Sequence, residues 1–160
     1  MGREIKGTFT FRRTTAKIYE MDGISMIEYR EFCFCNYKES IKAIYEKESW
    51  LSYLKDDAKL ERAFDNSLLN LGAFEGERLV GFVRCVGDGE HIVLVQDLIV
   101  DREFQKQKIG TTLFKMVWDR YAHVRMFHVV TDIEDPVDNH FYQSFGMKKL
   151  EEGSMVSYFR

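Results

Sequence analysis

Hydrophobic and polar positions follow two periods along the chain. Apolar residues at every second position predict a strand with one buried face. Apolar residues at i, i+3, i+4 and i+7 predict an amphipathic helix. Residues 26–33 alternate and read as a strand. Residues 37–48 place Ile41, Ile44, Tyr45 and Glu48 on one helical stripe, and residues 57–68 do the same with Leu60, Ala63, Phe64 and Leu68. Residues 69–74, 79–86 and 91–100 read as strands, separated by the turns Glu75-Gly76-Glu77-Arg78 and Gly87-Asp88-Gly89. Residues 108–121 predict a helix through Ile109, Leu113, Met116 and Val117, followed by a strand over 125–131. Pro136 suits the first turn of a short helix reaching about Phe145, and Gly146 is its natural stop. Residues 147–159 predict two last strands around Glu152-Gly153.

The element order is therefore β-α-α-β-β-β-α-β-α-β-β. Consecutive strands joined by short turns are antiparallel. The strand-helix-strand unit through residues 108–121 requires a parallel, right-handed crossover. These constraints predict an α/β chain with a mixed, largely antiparallel sheet and helices on both faces. Residues 1–25, with the alternation Thr8-Phe9-Thr10-Phe11, read as an N-terminal extension or a peripheral hairpin, and residues 26–160 as the domain proper.

At 160 residues the chain has the length of one domain. It carries 23 basic and 26 acidic residues, for a net charge of −3. That balance lacks the basic excess of a nucleic-acid binder. No apolar run approaches the ~20 residues of a membrane helix. The first residues lack the basic-then-apolar pattern of a secretory signal, so a cytoplasmic location is expected. The three cysteines are Cys33, Cys35 and Cys85. An odd count is not a disulfide framework, and one intervening residue is tighter than zinc-ligand spacing. Buried, inert thiols and no metal are expected.

Candidate chemistry concentrates in residues 95–113. An apolar strand ends in the polar loop Asp101 to Lys108, and a helix opens at Lys108 to Gly110. The first amides of a helix lack intrahelical acceptors, and the macrodipole adds partial positive charge. Consecutive free N–H groups before a helix make an anion cradle. Gly110 allows close approach to the backbone, and Lys106 and Lys108 add charge. A phosphorylated ligand is one reading; a helix start with one glycine is the other. The phosphate loop Gly-x₄-Gly-Lys-[Ser/Thr] and the dinucleotide fingerprint Gly-x-Gly-x-x-Gly are both absent.

The stretch Gln105-Lys106-Gln107-Lys108-Ile109-Gly110 resembles the Arg/Gln-x-x-Gly-x-Gly/Ala loop of the GNAT N-acetyltransferase superfamily. Leu98-Ile99-Val100 resembles that family's preceding strand. Asn139-His140-Phe141-Tyr142-Gln143-Ser144-Phe145-Gly146-Met147 is similar to its Phe-Tyr-x-x-x-Gly-Phe segment. The element order matches from about Met26 onward. The resemblance implies a GNAT-like fold and acetyl-CoA as co-substrate. It implies that the pyrophosphate is held by amides of Gln105, Lys106, Gln107, Lys108, Ile109, Gly110 and Thr111. It adds cofactor contacts from Leu98, Ile99, Val100, Asn139 and Tyr142. The family's first loop glycine is Lys108 here.

Acetyl transfer needs a deprotonated amine, because an alkylammonium of pKa near ~10.4 is protonated at neutral pH. It also needs a donor for the oxyanion and a proton for the leaving thiolate. The resemblance implies carbonyl polarisation by an N–H near Ile99 or Val100, where the family's strand bulges, and places Tyr142 as general acid. Phe141, Tyr142 and Phe145 also read as the apolar face of a short helix. The family's histidines before the loop correspond to Leu94 and Gln96. Asp97 is the ionisable group in mid-strand and reads either as base or amine ligand, or as a carboxylate satisfied across the sheet. Glu90 and His91 are second choices through water, His140 neighbours Tyr142, and His123 and His128 carry little signal. Trp50, Tyr53 and Leu54 fit an aromatic acceptor wall or a core cap, and Asp56 and Asp57 fit amine attraction or helix capping. The expected activity is acetyl transfer from acetyl-CoA to a primary amine of a small molecule or peptide, by direct attack in a ternary complex. The alternative is a non-catalytic acyl-CoA-binding sensor or interaction module. Edge strands at residues 147–159 would let two copies pair as a homodimer.

Overall fold

Two tight turns, at residues 76–77 and 88–91, fold the middle of the chain back on itself, and helical segments make the longer connections between strands that are neighbours in both sequence and sheet. The computed structural model describes residues 16–17 and 26–160. β1 (Ala16–Lys17), β2 (Ile27–Glu31), β3 (Leu69–Glu75), β4 (Arg78–Gly87) and β5 (Ile92–Val100) pair antiparallel, each with the next. β6 (Met126–Val129) follows β5 in the sheet, and the Met126 N–H donates to the His91 carbonyl. The Thr8-Phe9-Thr10-Phe11 alternation lies outside the described residues. The described residues up to His128 and those from Val129 onward form two compact units.

The β4–β5 turn shows how local chemistry sets this order. The Asp88 carboxylate accepts the N–H groups of Glu90, His91 and Ile92, which pull its carboxyl down to about 2. Gly87 holds φ at 138°, and a Cβ there would sit 2.1 Å from the Ile92 carbonyl oxygen. Only glycine fits both demands.

α1 (Phe34–Lys47) leaves helical geometry at Tyr37 (φ −133°, ψ 17°), so its regular turns follow that residue, near the predicted start. α2 (Asp57–Asp65) is capped by the Asp56 carboxylate, which accepts the Lys59 N–H, while Asp57 pairs with Lys38 and Lys42. The two acidic residues thus serve the helix and its neighbour. α2 stops three residues short of the expected end because the Leu68 N–H is taken by the Cys85 carbonyl as the chain joins the sheet.

Phe34, Ile41, Ile44 and Tyr45 of α1 and Leu60 and Phe64 of α2 pack on Phe74, Leu79, Phe82 and Ile99 of the sheet. Each such burial removes roughly 1.5–3 kcal/mol of apolar exposure. α3 (Ile109–Arg120) buries Ile109, Leu113, Phe114 and Val117 and touches β3, β4 and β5. Phe114 takes the core position expected of Met116, since the i, i+4, i+5, i+8 set faces the sheet. Cys85 is buried as expected. Cys33 and Cys35 are instead exposed at the start of α1, because the chain has left the sheet at Glu31 and only Phe34 between them turns inward.

In the second unit, α4 (Pro136–Ser144) begins with Asp135 accepting the Val137 and Asp138 N–H groups. Gly146, at φ 81°, follows its end. The two strands expected over residues 147–159 do not form. A 3-10 turn (Leu150–Gly153) and a left-handed Ser154 occupy that stretch. The N–H groups of Lys149, Ser154 and Met155 bond locally to the Glu152 carboxylate, the Glu151 carbonyl and the Leu150 carbonyl, which removes donors a ladder needs. The strand edge proposed for pairing two copies is therefore not formed.

One buried carboxylate ties α1 to the end of β5. Asp101 accepts Lys47 Nζ at 2.9 and 3.1 Å and Arg78 at 3.1 Å, and caps the following turn through the Glu103 N–H. Burial opposes its charge, but Lys47, the Glu103 amide and Arg78 outweigh that and hold its carboxyl below the usual range. A depressed folded-state pKa gives stability that is present above about pH 4 and lost as pH falls through the folded value. Asp101→Asn is expected to lower unfolding free energy by about 1–2 kcal/mol at pH 7, since both cations are partly exposed. In urea titrations the deficit should shrink toward acid pH.

Candidate functional site

The site grows from the junction of β5 and α3. A 3-10 turn (Arg102–Phe104) buries Phe104, and the Gln105 side-chain amide donates to the Val100 carbonyl. Two lysines then adopt left-handed backbone, Lys106 at φ 63° and Lys108 at φ 60°. This explains why the resembling loop carries glycine where Lys108 stands: an L-residue there costs roughly 1–2 kcal/mol. Left-handed residues among right-handed ones turn successive N–H groups toward one point, forming a nest for an anion. The Thr112 N–H donates to the Lys108 carbonyl as the helix begins, so the Ile109, Gly110 and Thr111 amides occupy the first-turn positions without intrahelical acceptors. A Cβ on Gly110 would meet Val100 Cγ2 at an ordinary 3.6 Å, so the Gly110 backbone is uncrowded on that side. Gln105, Lys106, Gln107 and Lys108 are exposed, whereas the Ile109 side chain is core and can offer only its amide.

On β5, Leu98, Ile99 and Val100 pair regularly with Val83, Phe82 and Gly81. The irregularity expected near Ile99 and Val100 falls earlier. The register shifts as Arg84 faces Asp97 and Cys85 faces Val95, leaving Gln96 as the extra residue. A bulge re-aims neighbouring side chains, and here it accompanies a buried polar cluster. Asp97 forms an ion pair with Arg84, both nearly fully buried. Its Oδ2 also accepts the Tyr45 hydroxyl at 3.0 Å, and its Oδ1 accepts the Tyr53 hydroxyl at 2.7 Å. Gln96 Nε2, on the exposed side, donates to Tyr53 Oη at 3.2 Å. Burial first, then the Asp97 charge, raises both phenols above their ordinary range, so both stay protonated and donate. The Tyr45 and Tyr53 rings stack at 4.6 Å and 4°, and Trp50 extends the stack at 5.9 Å from Tyr45.

The second unit holds Tyr142 on α4, against a cavity of about 110 Å³ that Val129, Thr131, Asn139, Gln143 and Lys149 help to line. Burial, and then the Asp138 charge, raises the Tyr142 phenol, which keeps its proton. Asn139 Nδ2 donates to the Asp132 and Asp135 carbonyls, fixing its amide within the turn.

The sequence pattern of the "Acetyltransferase (GNAT) domain" matches residues 36–157. The chain belongs to the GNAT acetyltransferase family. This GNAT chain is 29% identical over 104 residues to an "Uncharacterized N-acetyltransferase ycf52-like" of Prochlorococcus marinus; the match covers 62% of the chain and 57% of that relative's length. A solved GNAT-family acetyltransferase from Streptococcus pneumoniae is 29% identical, with a TM-score of 0.72 over 84% of this chain and 97% of that one. The PaiA N-acetyltransferase from Thermoplasma acidophilum, solved with coenzyme A, shares the fold at 22% identity, with a TM-score of 0.56 over 76% of this chain and 89% of that one.

Within this GNAT fold, Arg84 and Tyr45 were not singled out from the sequence. The signal for Arg84 was a lone charge inside the apolar run of β4; Tyr45 was indistinguishable from its core stripe. His123 Nε2 lies 2.9 Å from the Gly89 carbonyl, and His140 is exposed. Among the described residues, no group of three or more His, Cys, Asp or Glu side chains is placed to hold a metal, and no helix is long and apolar enough to cross a membrane. Lys108→Gly is expected to relieve the left-handed strain and raise stability by about 1 kcal/mol, seen as a Tm increase of roughly 2–4 °C.

Proposed function

We propose that this chain is an acetyl-CoA-dependent N-acetyltransferase that passes an acetyl group to a primary amine of a small molecule or peptide in a ternary complex. The observation that carries the reading is the backbone turn at Lys106 to Thr111, with two left-handed residues leading into the free first amides of α3. Coenzyme A in the Thermoplasma relative supports the same ligand class. In this reading the amides of Gln105, Lys106, Gln107, Lys108, Ile109, Gly110 and Thr111 hold the pyrophosphate. The strand Leu98-Ile99-Val100 guides the pantetheine arm, with Asn139 and Tyr142 as further contacts. Tyr142, kept protonated by burial, donates to the departing thiolate.

Asp97 is buried and its oxygens are engaged by Arg84, Tyr45 and Tyr53, and of these partners half-buried Tyr53 also meets the exposed Gln96. Asp97 therefore acts on the amine by way of the Tyr53 hydroxyl, and the Trp50–Tyr53 stack supplies an aromatic wall beside it. The same engagement of Asp97 favours a second reading, an acyl-CoA sensor that binds without turnover.

Titration calorimetry with coenzyme A should give saturable heat by millimolar concentration; none would overturn both readings. Thiol release across an amine panel separates them, because the sensor releases none. Tyr142→Phe should lower kcat by about 10²-fold while leaving coenzyme binding intact. Tyr53→Phe, which keeps the stacked ring and removes the half-buried hydroxyl, should lower kcat while leaving coenzyme binding intact, and an unchanged kcat removes the Tyr53–Asp97 route from the reaction.

A further inference from the structure

Cys33 and Cys35 place two exposed thiols in contact, with their sulfurs 2.6 Å apart. Phe34 between them is 1% exposed and packs on Phe64 with ring centroids 5.0 Å apart, so the core pins the middle residue and turns both flanking thiols outward. Cys33 is the N-cap of α1, and its side chain makes no capping bond. The helical geometry breaks at Tyr37, two residues after Cys35, which separates this first turn from the regular helix. Neither sulfur is thereby committed to holding the helix. The hydrogen bond to Cys33 is the main cause that raises the Cys35 thiol above its ordinary range, with desolvation and the Asp65 carboxylate adding to it. Cys35 Sγ also donates to Asn36 Oδ1 at 3.6 Å, and within the pair either sulfur can donate to the other. Cys85 provides the contrast: it is buried, and burial pushes its thiol up to about 12.

We propose that Cys33 and Cys35 form a surface dithiol that closes reversibly to a disulfide by exchange with a small-molecule disulfide of the glutathione type. In the first step one of the two thiols gives its proton to solvent and, as the thiolate, attacks one sulfur of the oxidised co-reactant. The mixed disulfide forms and one small thiolate leaves. In the second step the other thiol gives its proton to solvent and attacks the protein sulfur of the mixed disulfide, releasing the second small thiolate; each small thiolate takes up a proton from solvent. Two protein thiols are oxidised to one disulfide, and one small disulfide is reduced to two thiols. The site lies at the start of the helix that ends near Tyr45 and the aromatic stack, so its redox state is set outside the acetyl-transfer machinery.

The full-length native chain is incubated with oxidised glutathione, quenched in acid, alkylated, and digested for mass analysis. The peptide bearing residues 33–35 is expected to lose two hydrogens and both alkylatable thiols, while Cys85 stays unmodified. Cys35→Ser should instead accumulate the stable glutathione adduct on Cys33, because the resolving thiol is gone. Dithiothreitol should restore both thiols in the wild-type chain. A wild-type chain that keeps the adduct on either cysteine, or leaves both thiols reduced, overturns the proposal. None of these readouts uses coenzyme binding or turnover, so the result stands apart from the acetyltransferase reading.

Discussion

Asp97 takes hydrogen bonds from three separate parts of the chain, and each needs the others in place. Arg84 reaches it from β4, Tyr45 from α1 and Tyr53 from the turn before α2. A carboxylate and a guanidinium removed from water are costly unless every polar atom finds a partner. Arg84 completes its own set with Ser67 Oγ at 3.2 Å, so the pair is paid for only when α1, the 51–55 turn and the sheet meet in one arrangement. Replacing one member would strand the others. The cluster thus fixes which face of the sheet α1 covers and the direction in which β5 leaves the core.

That direction matters because β5 delivers the chain to the nest. Beyond Val100, Asp101 anchors the strand end to Lys47 and Arg78, and the short turn with buried Phe104 sets the height at which Lys106 begins. The two left-handed lysines then turn the backbone so that α3 starts with its amides outward. The protein keeps strained L-residues at these positions, and such strain persists only where surrounding structure holds it. Lys108 trades the conformational ease of glycine for an ammonium beside the helix start. In the proposed reading, backbone strain and anion attraction are set against each other at this one residue.

The aromatic stack shows how the same residues can serve packing and a site. Tyr45 is fully buried and belongs to the core, whereas Tyr53 is half-buried and shares its hydroxyl with Gln96. Their parallel rings give the outer residue a fixed plane without burying it. Gln96 faces outward because the bulge falls there, so the irregular register and the polar chain from Gln96 to Asp97 have a common cause.

Much of the fold was legible in the sequence because strand and helix periods are local properties. The three central strands, their tight turns, α3 and α4 follow directly from spacing and from Pro136 and Gly146. The loop at Gln105 to Gly110 was also visible, since it rests on residue types at fixed offsets. Tertiary contacts decided the rest. Arg84 and Tyr45 became partners of Asp97 because a register shift faces Arg84 with Asp97 and α1 crosses above, and neither distance is encoded in any short window. Residues 147–159 read as two strands around Glu152-Gly153, yet local bonds at Lys149, Ser154 and Met155 use the donors that pairing requires. Cys33 and Cys35 looked like core thiols, but the sheet ends at Glu31 and Phe34 claims the interior, which leaves the sulfurs outside and together. Local pattern sets what each segment can form; competition for one interior and for backbone partners sets what it does form.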